Sequence, residues 1–588
     1  MRPEPARDPA RRAARLLWQA LRPEARNVWI CLAWLLTAGA LDTLGPALGK
    51  AFIDRYLVPR DPALGTMVGL VVGVFVSGCA ATWLRHFQLV RLGGLAMRSV
   101  ARIRDTVHHH VLRLPMAYFD SASTGALVSR VTNDTEAVRL LYVQVLFVML
   151  DCLVMVSVLL VTMALLDWRL MLIAATLVPA VLIVVAVYRR LSAPAVARSR
   201  ELRGQLNAHV AESIGGMAVL QATGASARYA ARYAALNEAH WRARVAELRA
   251  NAWLLRPALD LLGVAMLIGI IMAFGLRAPQ GTLEVGVLYA FVSYIGRVTE
   301  PLIQLTTQFS QLQQSVVAAA RVSALLDEPR APQPAGLARI TAGAIRFSDL
   351  SFCYTPGNLV LQAIRLDIAP GEFLGIVGPT GSGKSTLLAL LLRLYPVSPG
   401  TLSIDGHPVH DIDEETFRTA VALVPQDPFL LAGTVRENIA MGRPLSAETL
   451  EAAARAAGAH DFIATLPNGY DTPLGEGGSR LATGEKQLIA IARALAGDPR
   501  ILLLDEATAH IDTATEQQVL QSLAALRGRL TIVSVAHRLA TVRDAHRIAV
   551  VNHGRIVELG SHDALMENES GLYRRMVELQ RLSGLDTG

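Results

Sequence analysis

A chain of 588 residues suggests two to four domains by length alone. With 52% hydrophobic residues, only 18% charged ones and a mean hydropathy of +0.37, it is too apolar for an ordinary soluble enzyme, and the same figures exclude a disordered or collagen-like protein. The formal charge of +7 is a mild basic excess that fits nucleic acid or an anionic membrane face, and the composition favours the membrane.

Met1–Asn27 carries seven arginines against three acids and no small-residue cleavage site, so it reads as a cytoplasmic arm rather than a secretory signal. Six apolar stretches follow, near 28–57, 66–90, 140–166, 169–190, 249–276 and 283–308, each long enough to cross a hydrocarbon layer of about 30 Å as a helix. The loops after the first, third and fifth hold little positive charge, with Arg60, Arg169 and Arg277. The connections 91–139 and 191–248 are long, arginine-rich and helical in pattern. Positive charge favours the cytoplasmic side, which predicts that both connections and both termini face inward. Charges within membrane helices usually face a cavity, a partner or the interface; Asp42, Asp151, Arg256, Asp260, Arg297 and Glu300 qualify. Arg297 and Glu300 stand three apart on one helical face, which predicts a pair. Tyr289, Phe291 and Tyr294 read as packing or lipid-facing side chains rather than a ligand box. Cys31, Cys79, Cys152 and Cys353 are scattered, three of them in apolar stretches, and predict buried thiols rather than disulfides or a zinc cluster.

The transmembrane domain therefore spans 28–325. Residues 326–340, which include Glu328-Pro329-Arg330-Ala331-Pro332-Gln333-Pro334, read as a proline-stiffened linker. From 341 to 580 short β-type runs alternate with helical ones, the pattern of an α/β domain. There, the buried-strand pattern Gly371–Val377 runs into Gly378-Pro379-Thr380-Gly381-Ser382-Gly383-Lys384-Ser385-Thr386 and then a helical run. Glycines let backbone N–H groups close around phosphates and the helix N-terminus adds partial positive charge. Lys384 neutralises the β/γ-phosphates and Ser385 ligates Mg2+. A second strand pattern, Ile501–Leu504, ends in Asp505 and Glu506, two carboxylates on opposite faces. One suits the Mg2+ shell; the other suits orienting or deprotonating water for in-line attack on a γ-phosphate.

With both motifs in one chain, the sequence resembles the ATP-binding cassette transporters, specifically half-transporters of the exporter type, over nearly its whole length. The resemblance implies a six-helix transmembrane domain fused to an α/β P-loop nucleotide-binding domain, with ATP and Mg2+ as cofactors. Tyr354 matches the family's adenine-stacking aromatic, and Gln426 the glutamine that reaches Mg2+ and the attacking water. His537 matches the histidine at the γ-phosphate, and Asp512 the dimer-contacting aspartate. Gly475-Glu476-Gly477-Gly478 resembles the segment that relays nucleotide state to the partner. Tyr118, Phe119 and Asp120, with Thr124-Gly125 and Ser129–Asp134, resemble the exporters' first cytoplasmic coupling loop, which docks on the ATPase domain. Asn133–Glu136, Glu284–Phe291 and Glu300–Ile303 are similar to the B subunits of the bacterial multidrug-resistance-like (Mdl) heterodimeric exporters.

One motif departs from the family. Its Leu-Ser-Gly-Gly-Gln signature, which grips the γ-phosphate of ATP held by the other subunit, reads here Leu481-Ala482-Thr483-Gly484-Glu485. Ala482 removes a hydroxyl donor, Thr483 adds a side chain where backbone must approach, and Glu485 adds negative charge near a triphosphate. The expectation is one half of a heterodimer in the bacterial inner membrane that exports amphipathic or hydrophobic compounds and makes no use of nucleic acid. Its partners are a second half-transporter, membrane lipids and an amphipathic small molecule. A lipid flippase and a regulatory or gating subunit remain rival readings.

Overall fold

A computed structural model describes residues 9–59, 63–254, 256–276, 284–332, 334, 336, 338–506, 513–536 and 538–582. The chain divides into two compact units, one of Met1–Leu112 with Ala122–Glu328, the other of Arg113–Ser121 with Pro329–Gly588.

Among its described residues the first unit is built of helices joined by short turns, as lipid requires, because a helix satisfies its own backbone polar groups. Its longest helices are Ala25–Phe52, Leu64–Val111, Leu177–Gly215, Ser226–Leu254 and Val285–Leu326, followed by Phe147–Leu166 and Arg256–Gly275. Among the described residues, five helical stretches are long and apolar enough to cross a membrane. The sixth expected span lies within Val285–Leu326, where Arg297, Glu300 and Gln304 dilute the apolar run. Span and cytoplasmic connection are not separated by a helix end. Leu64–Val111, at 48 residues, extends about 70 Å at 1.5 Å per residue, far more than the hydrocarbon needs, so the expected span 66–90 continues without a break into its connection. The third and fourth spans are divided at Asp167, whose carboxylate accepts the N–H groups of Arg169 (2.8 Å) and Leu170 (3.2 Å) and caps the next helix.

Phe291 and Tyr294 are fully buried and pack with Leu159, Met163 and Leu170. The Tyr294 hydroxyl donates to the Thr43 carbonyl at 2.7 Å. Tyr289 is exposed. Two expectations are corrected here. Arg297 does not pair with Glu300: its guanidinium donates to the backbone carbonyl of Asp42 at 2.8 Å, a cross-helix acceptor that its length reaches. Nor is every thiol buried. Cys31 and Cys152 are, Cys353 is half-buried, and Cys79 is exposed beside the likewise exposed Phe75, Val76 and Trp83, a face suited to lipid rather than protein. The side chain of Arg256 lies outside the described residues.

Among the described residues the second unit holds ten strands: β1 (Ile345–Phe352), β2 (Leu361–Ile368), β3 (Phe373–Val377), β4 (Leu402–Ile404), β5 (His407–Pro408), β6 (Val421–Val424), β7 (Ile501–Asp505), β8 (Thr531–Val535), β9 (Arg547–Asn552) and β10 (Arg555–Gly560). They form a four-stranded sheet of order β2-β1-β4-β5 and a six-stranded one of order β10-β9-β3-β8-β7-β6. In the larger sheet β9, β3, β8, β7 and β6 are parallel neighbours and β10 is antiparallel to β9. Alternate residues feed two cores. Leu502 and Leu504 join Val435 and Ile489 in one, while Ile501 and Leu503 join Leu388 and Phe417 in the other.

Asp405 secures the start of this unit. One carboxylate oxygen accepts the N–H groups of Thr341 (2.7 Å), Ala342 (2.9 Å) and Gly343 (3.2 Å), and the other that of Ala344 (2.7 Å). Burial pushes its pKa up, but the four donors outweigh burial and hold it below the ordinary carboxylate range. Its stabilisation is therefore present in full above that range and is lost as pH falls through the lowered folded value. Asp405→Ala should loosen this region by about 2–3 kcal/mol, the scale of stranding a charge-assisted network. Native-state hydrogen exchange checks this: the amides of 341–344 and β1 should exchange faster, and unchanged protection would contradict it.

Candidate functional site

The residues that bear on phosphate chemistry leave the C-terminal ends of parallel strands, where α/β sheets present ligand crevices. The cradle follows β3, Asp505 and Glu506 end β7, and Gln426 lies two residues past β6.

Gly378 and Gly383 make the cradle possible. Gly378 has φ +151°, and a Cβ there would collide with the Val551 carbonyl oxygen. Gly383 has φ +104°, and a Cβ would stand 2.7 Å from Leu361 Cδ2. The turn delivers the chain into the helix Lys384–Leu391. The Lys384 ammonium, only 5% exposed, donates to the carbonyls of Gly378 (2.8 Å) and Pro379 (2.9 Å) and so spans the loop it would share with a phosphate. Burial pulls its pKa below the ordinary lysine value, opposed by Glu506 and Asp505. The Ser382 hydroxyl is buried with no hydrogen-bond partner among the described residues, the state of a group that waits for a ligand. Thr380, Gly381 and Ser385 are exposed along the cradle, and Thr386 is buried.

Asp505 and Glu506 are both half-buried. Glu506 takes the left-handed φ of +48°, uncommon for a residue with a side chain, and its N–H is fixed on the Val535 carbonyl at 3.0 Å. The Gln426 side-chain amide donates to Glu506 Oε2 at 2.8 Å, joining the two residues across 80 positions of sequence. His537 and Asp512 fall outside the described residues.

Tyr354 is half exposed, and its hydroxyl donates to the Thr386 hydroxyl at 3.1 Å, which brings the ring to the cradle helix. Its ring meets Phe352 edge-on at 5.0 Å and Tyr395 at 4.9 Å between centroids. Tyr395 in turn donates its hydroxyl to the Asp120 carboxylate, on the short helix Met116–Ser121. Burial and Asp120 together push the Tyr395 phenol well above its ordinary pKa, so it remains a donor. The Ala331 N–H also donates to the Arg113 carbonyl at 2.8 Å, so two bonds hold segment 113–121 within the second unit. Tyr118 and Phe119 are half-buried, with rings 6.1 Å apart edge to face.

At the altered signature, Leu481 is buried and Ala482 and Thr483 are exposed. Ala482 is the N-cap of helix Thr483–Leu495 and has no side-chain oxygen to offer. Glu485 instead folds back so that its carboxylate accepts the Ala482 N–H at 2.8 Å. The helix N-terminus, the place a phosphate would be attracted to, thus already carries an anion.

Residues 28–302 match the model described as ABC transporter transmembrane region, and 361–509 the model described as ABC transporter. The putative ABC transporter ATP-binding protein exp8 of Streptococcus pneumoniae serotype 4 is 35% identical over 97% of this chain and 98% of its own length. This chain belongs to the ABC transporter family. The multidrug resistance-like ATP-binding protein MdlB of Buchnera aphidicola (subspecies Acyrthosiphon pisum) is 34% identical over 94% of this chain and 96% of its own. A solved bacterial Atm1-family ABC exporter with ATP bound superposes with a TM-score of 0.79, at 28% identity, over 95% of this chain and 98% of that one. The transporter accordingly joins a helical transmembrane domain to a P-loop ATPase domain and hydrolyses ATP.

In this ABC transporter the donor set fits Mg2+-ATP. The orphaned Ser382 hydroxyl, the Lys384 ammonium and the glycine-shaped backbone suit phosphate oxygens, while the Ser385 hydroxyl, the Gln426 carbonyl oxygen and the Asp505 carboxylate are the hard oxygen ligands Mg2+ prefers. Held by these oxygens, a Mg2+ ion would supply positive charge to the phosphates during transfer. Two contributors escape sequence reading. Tyr395, the partner of Asp120, belongs to no motif, and Gln487, 2% exposed on the signature helix, donates to the Pro425 carbonyl at 3.3 Å beside Gln426. A tyrosine just beyond the cradle helix was the only available hint of the first.

Proposed function

We propose that this chain is one half of a heterodimeric exporter in the bacterial inner membrane, with its ATPase domain and both termini cytoplasmic, and that it moves amphipathic compounds outward at the expense of ATP. Gly378, Thr380, Gly381, Ser382, Gly383, Lys384 and Thr386 hold the phosphates, and Tyr354 stacks on adenine. Ser385, Gln426 and Asp505 hold Mg2+. Glu506 takes the proton of the attacking water, and His537 contacts the γ-phosphate. Tyr118, Phe119 and Asp120 carry the change of nucleotide state to the membrane helices.

One observation carries the heterodimer: a fully assembled cradle with Glu506 in the same chain as a signature helix whose N-terminus is filled by Glu485. In a head-to-tail dimer each site combines one chain's cradle with the other's signature. Two copies of this chain would put the defect in both sites, and losing a charge-assisted phosphate contact costs roughly 1.5–3 kcal/mol. A partner with an intact signature restores one active site. Purifying this chain alone and together with a second half-transporter that has an intact signature tests it. Vigorous ATPase activity should need both, and a homodimer with equal, substrate-stimulated activity would refute the pairing.

The bond between Asp120 and Tyr395 supports a route for coupling, since Tyr395 touches the aromatic proposed for adenine. Tyr395→Phe keeps the ring and removes the donor. It should leave ATP binding near normal and lower transport per ATP hydrolysed several-fold. Asp120→Asn, which retains an acceptor, should recover most of the loss seen in Asp120→Ala. Unchanged transport per ATP in Tyr395→Phe would remove this contact from the route.

A further inference from the structure

Within the helical unit, a cavity of about 210 Å³ lies among helices Leu64–Val111, Phe147–Leu166 and Val285–Leu326. Arg85, Gln88, Asp151 and Gln304 supply its polar wall, and Leu89 and Phe147 belong to its apolar one. The Arg85 charge is already engaged, because its guanidinium meets the Asp42 carboxylate at 2.7 Å. Asp151 makes no ion pair or side-chain hydrogen bond of its own among the described residues, but it faces that pair: Arg85 attracts its charge and Asp42 repels it. Gln88 is 4% exposed, lines the same cavity, and likewise has no side-chain partner among the described residues. An amide that lines a cavity and has no protein partner keeps its donors and its carbonyl oxygen for a ligand. Two carboxylates, Asp42 and Asp151, thus share the one guanidinium of Arg85, which leaves this group with one negative charge in excess.

We propose that this cavity binds the cationic head of a single-chain amphipathic ammonium compound, with Asp151 as the counter-charge and Gln88 as a hydrogen-bond acceptor; this rests on the exporter reading above. A primary ammonium has three donors and no acceptor, which suits a carboxylate and amide carbonyl oxygens and matches an otherwise excess negative charge. In a low-dielectric wall the same carboxylate repels an anionic head, so charge sign decides entry more strongly than tail shape. The volume is below the usual range for a whole drug-sized ligand, so the head and the first methylenes are held here and the rest of the tail lies beyond.

The test uses inside-out vesicles containing both halves and three probes with one tail: n-decylammonium, decanoate and decanol. Decylammonium should stimulate ATP hydrolysis at the lowest concentration. Asp151→Asn should raise its half-stimulating concentration about tenfold or more, as loss of a charge-assisted contact does, and leave the response to decanol in place. Gln88→Leu should raise it several-fold, and Asp151→Glu should stay near wild type, which separates loss of charge from loss of fold. Decanoate as effective as decylammonium, or Asp151→Asn with a wild-type response, would overturn the cation site. ATP hydrolysis that responds to none of the probes would overturn it as well. An assembly that hydrolyses no ATP would instead overturn the exporter reading.

Discussion

With glutamine in place of Glu506, ATP turnover by the assembled transporter falls by about 10²–10⁴-fold, the range general-base catalysis contributes, while ATP still binds. The amide is nearly isosteric and leaves the end of β7 in place, but it cannot accept the proton of water. It also exchanges an oxygen that now accepts the Gln426 amide, at 2.8 Å, for a group that is half donor. Lys384→Ala acts earlier in the cycle. It removes the ammonium held at 2.8 and 2.9 Å from the cradle's own carbonyls, and nucleotide affinity itself drops. Phosphate release and binding of a fluorescent ATP analogue separate the two. Near-normal turnover in Glu506→Gln would take this residue out of the catalytic role.

Repair of the signature is the second large effect. Ala482→Ser, Thr483→Gly and Glu485→Gln together return the N-cap hydroxyl, bare the backbone and remove the carboxylate that accepts the Ala482 N–H. Each restored contact to a charged phosphate is worth roughly 1.5–3 kcal/mol, so the chain purified without a partner should gain about tenfold or more in ATPase rate at limiting ATP. The gain arises because this chain's own cradle and Glu506 then face a competent signature in a second copy. In the proposed heterodimer the same substitutions should matter less. A wild-type chain that alone equals the repaired one would show that Leu481–Glu485 is not a defect.

What was legible beforehand depends on how local the chemistry is. Gly378–Thr386 stands out in the sequence because its pattern is written in consecutive residues, and Asp505-Glu506, a weak signal alone, stands out because it ends a buried-strand pattern in the same chain as that cradle. The contact of Asp120 with Tyr395, 275 residues apart, has no such signature; it depends on where a six-residue helix, Met116–Ser121, comes to rest. Arg297 was assigned to Glu300 by helical spacing, yet a long guanidinium found the Asp42 carbonyl on another helix, since spacing on one helix says nothing about neighbours. The same limit applied to Cys79, where an apolar surrounding in sequence predicts burial and a lipid-facing surface satisfies the same preference without it. The charge of Glu485 is visible in the sequence, but its bond to the Ala482 N–H depends on helix geometry.

The most direct measurement is ATP-dependent accumulation of decylammonium in inside-out vesicles containing this chain and its partner half, with wild-type Glu506 compared with Glu506→Gln. The account predicts uptake that requires hydrolysable ATP and disappears in the variant while ATP remains bound. Equal uptake in the two, or uptake without ATP, would contradict the claim that hydrolysis at the Glu506 site drives export.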